Sequence, residues 1–280
     1  SGGAENAFFD GEACDRNRSL MKAENESSGK IGNGGYYIIS ADIGRKGDAS
    51  VFCVFKVLPQ PVGSAFKNLV NIYTLDNEHF EEQAIMLKKL YFKYKARRIV
   101  IDGNGLGIGL LDYMVKSQID PATGDIYQDF GILNDENGDY KKYRTSMTEQ
   151  DAIYVIKANA PINTEAHSNA QVQLTSGHVK FLIEEREAKS KLLGTKVGQA
   201  MTPEQRAEYL KPYTLTSILK EEMMNLREEN EGVNIILKKA NKSIKKDKFS
   251  AFEYGLYYIK EEEEKKKKKK FNAKEWMLLN

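Results

Sequence analysis

YYIISADIGRKGDASVFCVFKV, residues 36–57, is the stretch that decides how this chain folds. It reads as a buried strand, a tight turn and a second strand, because two apolar runs flank a Gly- and Asp-containing break. The first run ends on Asp42, and Asp48 follows just beyond the turn. An ionised carboxylate at the end of a mostly buried strand is costly unless a cation or hydrogen-bond donors accompany it. Asp-Ile-Gly is also ordinary turn chemistry, so a simple turn cap explains Asp42 equally well from this stretch alone.

Outward from this pair the periodic elements continue. Strands are expected near 36–43, 49–58 and 68–75, followed by a helix over 77–96 with Phe80, Ala84, Leu87, Leu90 and Tyr91 on one face. RRIVIDGNG (97–105) reads as a short buried strand ending at Asp102, and 107–117 as a second helix. Three strands joined by short connections suit an antiparallel meander, and the helical crossover then delivers a parallel strand. That order places the strand ending in Asp102 beside the strand ending in Asp42, both carboxylates at one edge of the sheet. The two glycines of DGNG would let backbone approach a ligand there.

Further along, strands are expected at 152–158, 178–183 and 233–238, and helices near 163–174, through the polar stretch 184–210, at 215–230 and from about 246. Residues 24–35 read as a linker or surface loop. In SIKKDKFSAFEYGLYYI (243–259), helical phasing groups Phe252, Leu256 and Ile259, with small residues at 251 and 255 allowing close packing on a sheet. Asp247 falls in the first turn of this helix, where the dipole favours an anion, although a helix-start Asp is very often only a cap. Lys245, Lys246 and Lys248 surround it.

The bulk composition sets limits. With 280 residues, 41% hydrophobic and 29% charged, the chain is globular and long enough for one large α/β domain or two small ones. Its longest apolar runs are strand-sized, so no membrane span or hydrophobic signal core is expected. Cys53 sits in an apolar strand and reads as a core residue, which favours a reducing compartment. A formal charge of +2 does not advertise a polyanion binder, but lysines cluster at 238–248 and 265–270. In EEEEKKKKKK each Glu of 261–264 precedes a Lys by four residues, a pattern that fits a solvated helical face. His79, His167 and His178 show no metal-ligand spacing. SSGKIG (27–32) lacks the leading Gly and the hydroxyl residue of a P-loop.

Asp42 ending the first strand, IVIDGNG ending the fourth and KKDKFSAFEYGLYYI opening a late helix together resemble the nuclease domain of large terminase subunits, the DNA-packaging motors of tailed bacteriophages. The resemblance covers roughly residues 5–260 and includes the lead-in AENAFFDGEACDRNR. It implies a ribonuclease H-like fold, a mixed central α/β sheet of antiparallel meander plus parallel strands flanked by helices. It divides the chain into a lead-in (1–35), a nuclease domain (36–260, with 184–212 as an insertion or variable segment) and a charged tail (261–280).

The implied activity is metal-dependent cutting of concatemeric double-stranded DNA. The implied acidic triad is Asp42, Asp102 and Asp247, holding two divalent ions, Mg²⁺ or Mn²⁺, with Asp42 shared between them and Asp48 as a secondary acidic position. Lys245, Lys246, Lys248, Arg45 and Lys46 are candidate phosphate contacts. The implied partners in a full-length protein are double-stranded DNA, an ATPase motor domain, a small terminase subunit and the procapsid portal, in the cytoplasm of the infected bacterial host.

Three other readings stay open on the sequence. A different ribonuclease H-like nuclease, such as a junction resolvase or transposase, would be distinguished by a preference for branched over linear DNA. ADIGRKGDAS and IDGNGLG superficially resemble the phosphate loops of actin and sugar kinases, but no Gly-Gly adenosine loop follows. A non-catalytic docking module would use 184–212 and the charged tail.

Overall fold

The computed structural model describes residues 6–29, 31–44, 48–76, 79–143 and 150–279. Arg45 and Lys46 therefore lie outside the described residues. In chain order the elements are α1 (Gly11–Arg16), β1 (Arg18–Leu20), β2 (Tyr36–Asp42), β3 (Ser50–Leu58), β4 (Phe66–Leu75), α2 (Phe80–Lys93), β5 (Arg98–Asp102) and α3 (Gly107–Met114). There follow β6 (Gln118–Ile119), β7 (Ile126–Tyr127), β8 (Phe130–Ile132), β9 (Gln150–Ile156), α4 (Ala160–Thr175) and β10 (Val179–Leu182). The last are α5 (Glu185–Leu193), α6 (Lys196–Ala200), α7 (Pro203–Met224), β11 (Leu226–Glu231), β12 (Asn234–Lys239) and α8 (Asp247–Leu279).

Eight strands form one mixed sheet in the order β1-β10-β4-β3-β2-β5-β9-β8. β2, β3 and β4 make the expected antiparallel meander, and α2 carries the chain back to set β5 parallel to β2. Both faces of the sheet are covered, which is why β2 and β3 read as continuous apolar runs. Alternation sorts their side chains between two layers. Ile38, Val51, Cys53, Phe55 and Val100 join the layer under α4, α7 and α8, while Tyr37, Ile39, Ala41, Phe52, Ile99 and Ile101 join the layer under α2 and α3.

α8 lies along β2 and runs opposite to it. Near its middle a Cβ on Gly255 would stand 2.4 Å from a ring carbon of Phe55 and 3.0 Å from the Ser40 Cβ, so the helix can approach this closely only with glycine there. Phe252 stacks on Phe55 with ring centres 5.9 Å apart. Farther along, Glu262 pairs with Arg97 at 3.4 Å and Glu263 with the buried Lys67 at 3.3 Å. Two of the four glutamates expected on a solvated face thus turn inward, because α8 still rests on the sheet at that point. Only from Glu264 onward is the helix exposed along its length, and it runs unbroken across residue 260.

Other departures from the sequence reading have local causes. Part of the polar lead-in is built into the domain: Phe9 and Cys14 are buried, and β1 pairs with β10 as an edge strand. A helix expected over 215–230 instead starts at Pro203 behind a Thr202–Gln205 capping box, continues through Pro212 and stops at Asn225. The charged residues after it form β11, held to β12 by backbone pairing from Leu226–Lys239 to Glu231–Asn234. Asn225 closes the base of this hairpin: its Oδ1 accepts the Asn241 N–H at 2.8 Å and its Nδ2 donates to the Asn241 carbonyl at 2.9 Å. α4 begins at Ala160 rather than 163, since Asn159 caps it by accepting the Ile162 N–H at 2.9 Å.

Candidate active site

The sheet topology determines where the acidic residues meet. Ala41 of β2 is in register with Ile101 of β5, so Asp42 and Asp102 end two adjacent parallel strands at the same level. Asp42 alternates with Ala41 and therefore shares the face of Ile38 and Ser40; Asp102 shares the face of Val100. That is the face α8 covers, and α8 begins at this edge with Asp247 as its first residue. Three carboxylates far apart in sequence thus converge beyond one end of the sheet, on one face.

Their electrostatics reflect that crowding. Burial, reinforced by Asp247, Asp102 and Glu222, pushes the Asp42 carboxyl up to about 8 from its ordinary 3.8, against the opposing charge of Lys246. Among the described residues no donor gives a hydrogen bond to Asp42. Asp102 is raised by burial, partly countered by the Asn104 N–H that donates to its Oδ1 at 2.9 Å. Asp247 is raised by burial and then by Asp48, with Lys245 and Lys248 opposing. Like charges held together out of water call for a compensating cation.

An all-oxygen donor set of this kind suits hard cations such as Mg²⁺, which keep several waters and take few protein carboxylates. Among the described residues no group of three or more His, Cys, Asp or Glu side chains stands close enough together to hold one ion. The carboxylates are neighbours across an open edge, and their chemistry fits a divalent ion even though their spacing is wider than a finished site.

The remaining predicted residues fall into three groups. Asp48 is held by an ion pair with Lys245, and both side chains are exposed. Lys246 is exposed beside the cluster. Lys248 is different: its side chain is mostly buried, and its Nζ lies 3.6 Å from Glu222 Oε2, so its charge is directed inward. Of the DGNG glycines, Gly103 has a packing role, because a Cβ there would sit 2.3 Å from a methyl carbon of Val155.

Two residues at the site went unnoticed in the sequence. Glu222, on α7, is buried, and burial pushes its carboxyl up to about 7 against the pull of Lys248. Tyr254, on α8, donates from its hydroxyl to Asn163 Oδ1 at 3.0 Å, and burial together with the charges of Asp102, Glu253 and Asp42 raises its pKa. Tyr254 stands two helical turns after Asp247, a spacing that could have flagged it; Glu222 gives no such signal. The histidines remain apart: His167 Nδ1 lies 2.6 Å from Glu253 Oε2 and ties α4 to α8.

No protein-family model matches the chain. No curated protein matches it either. Among solved structures, the large terminase nuclease from thermophilic phage G20c with bound magnesium superposes with a TM-score of 0.52 at 15% identity, over 90% of this chain and 97% of that one. The same nuclease with bound cobalt gives a TM-score of 0.52 at 14% identity, again over 90% and 97%. At such identities the likeness speaks for architecture. The chain has the ribonuclease H-like fold of the large terminase nucleases.

Proposed function

We propose that this chain is a divalent-metal-dependent endonuclease that cuts concatemeric double-stranded DNA during viral genome packaging, as the nuclease part of a large terminase subunit. The observation that carries the proposal is the convergence of Asp42, Asp102 and Asp247 at one sheet edge, on one face, with Asp42 left without a donor among the described residues. The fold shared with the G20c nuclease, solved with magnesium and with cobalt, supports the same reading.

In this reading Asp42, Asp102 and Asp247 would hold two divalent ions, Mg²⁺ or Mn²⁺, with Asp48 in a secondary role. When bound, such a pair supplies an activated water and neutralises the charge developing on the departing oxygen. The chain's own contribution is positional. β2 and β5 fix two carboxylates through strand register, α8 fixes the third, and the buried layers behind them keep the cluster from relaxing outward. Lys245 and Lys246, exposed beside the acidic edge, orient the phosphate backbone without reading sequence. Arg45 and Lys46, on the β2–β3 connection, are proposed to assist them. The motor domain, small subunit and portal would be the partners of the full-length protein in the infected host's cytoplasm.

The test is cleavage of supercoiled plasmid by the purified chain with Mn²⁺, Mg²⁺ or EDTA, beside Asp102→Ala. Metal-dependent nicking and linearisation that vanish in the variant are expected. Equal activity in EDTA, or full activity in Asp102→Ala, would refute the proposal.

A further inference from the structure

The helix that carries Asp247 is capped by another helix. The first N–H groups of any α-helix lack intrahelical partners, and an Asp, Asn, Ser or Thr just before the helix usually accepts one of them. Before α8 stands Lys246, which has no acceptor side chain. Glu222 of α7 takes the cap's place: its Oε1 accepts the Lys248 N–H at 2.9 Å and the Phe249 N–H at 3.2 Å. The side chain is 1% exposed, and its Oε2 accepts no hydrogen bond among the described residues, with Lys248 Nζ lying 3.6 Å away.

We propose that Glu222 is a positioning residue that clamps the first turn of α8 and so aims the Asp247 carboxylate at Asp42 and Asp102. The inference rests on the reading of Asp247 as a metal ligand. Terminal turns fray when their N–H groups are unmet, and Asp247 is the very first helical residue. The two bonds to Glu222 fall on the two residues that follow it, which restrains the backbone on which the Asp247 side chain stands. The rest of α8 does not depend on them. Phe252 stacks on Phe55 at 5.9 Å, and Gly255 seats the helix against Phe55 of β3 and Ser40 of β2. Loss of the clamp therefore loosens one turn and leaves the domain folded. A carboxylate at this position also complements the positive end of the helix dipole.

The experiment compares wild type, Glu222→Ala, Glu222→Gln, Asp247→Asn and the double variant Glu222→Ala/Asp247→Asn in the full chain. Mn²⁺ affinity is measured by calorimetry, plasmid cleavage by gel, and amide exchange at residues 248 and 249 by NMR. Glu222→Ala should weaken Mn²⁺ binding about 10-fold, the effect of losing a group that orients a metal ligand. It should also speed exchange of both amides. Glu222→Gln keeps an acceptor oxygen for both N–H groups and should retain affinity and cleavage within about threefold of wild type.

In the double variant, removing Glu222 should add nothing to the loss caused by Asp247→Asn, since the clamp acts through Asp247. Should the alanine variant not fold, Glu222→Asp, which withdraws the oxygen by one methylene, is expected to show the same loss. Wild-type Mn²⁺ affinity in Glu222→Ala beside a weakened Asp247→Asn would overturn the clamp alone. So would a glutamine variant as impaired as the alanine one. Wild-type affinity in Asp247→Asn would overturn the metal reading on which the clamp depends.

Discussion

Replacing Asp42 by asparagine should make the metal-free protein more stable at alkaline pH. The carboxyl is raised from 3.8 to about 8 in the folded chain, first by burial and then by Asp247, Asp102 and Glu222. Between those two values the unfolded chain has released its proton while the folded chain still holds one. Metal-free stability therefore falls as pH rises through this window and levels off above it. From about pH 5.5 to about pH 8.5 the protein crosses roughly 2.5 pH units of the window, and each is worth about 1.4 kcal/mol. The ceiling is thus about 3.5 kcal/mol, and side-chain relaxation and water entry at the open edge reduce it to about 2 kcal/mol. For a domain of this size that is a shift of roughly 4–8 °C in Tm. Asparagine carries no charge to bury, so this component of the pH dependence disappears. Thermal melts in EDTA at the two pH values should show wild type losing roughly 4–8 °C more than Asp42→Asn. Mn²⁺ added at the higher pH should restore wild type and leave the variant unchanged. Parallel pH curves for the two proteins would refute the reasoning, because they would mean that Asp42 is ionised at no cost or already has a partner.

Three further outcomes are expected. Gly255→Ala should cost about 1–3 kcal/mol in urea unfolding, since the added carbon would stand 2.4 Å from the Phe55 ring; a loss below about 0.5 kcal/mol would show that α8 can lift at no penalty. Lys88 is fully buried and donates to the Lys116 and Gln128 carbonyls at 2.7 Å and to Gln118 Oε1 at 2.6 Å, so Lys88→Met should destabilise the domain by about 2–4 kcal/mol by removing a charged donor that three acceptors share. Unfolding midpoints equal to wild type would contradict that account. Lys245→Ala/Lys246→Ala should weaken duplex binding and lower the slope of log affinity against log salt by about 0.9 for each phosphate that the two lysines neutralise, measured by fluorescence anisotropy; an unchanged slope would place the DNA elsewhere.

Much of the sheet was legible because its strands are buried on both sides. β2, β3 and β5 appear as unbroken apolar runs, and a run ending abruptly in Asp is visible without any knowledge of neighbours. The connection lengths then dictate that β5 returns beside β2. Illegible elements are those whose stability is not written in their own residues. β1 is three residues long and holds to β10 through backbone bonds. β11 is almost wholly exposed and charged, and only its pairing with β12 distinguishes it from the end of a helix. The break expected between 210 and 215 does not occur: α7 continues through Pro212, with Leu210, Tyr213, Leu215 and Leu219 buried against the rest of the domain.

The acidic site divides along the same line. Asp42 and Asp102 are local facts: each needs only its own strand and the next one to be placed at the edge. Asp247 is legible as a helix start, but its direction is not, because the backbone beneath it is held from α7. In the segment KEEMMN, Glu222 looks like one more charge on a solvated face, preceded by Lys220 and Glu221. Folding brings it under the first turn of α8, where burial converts an ordinary glutamate into a cap that no spacing rule within α8 would supply. Residues that carry chemistry tend to announce themselves by being costly where they stand; residues that aim them do so only once the helix they brace is in place. A search for such braces is therefore best begun from unmet N–H groups at the helix end that bears the reactive side chain, working outward to whichever element supplies the acceptor.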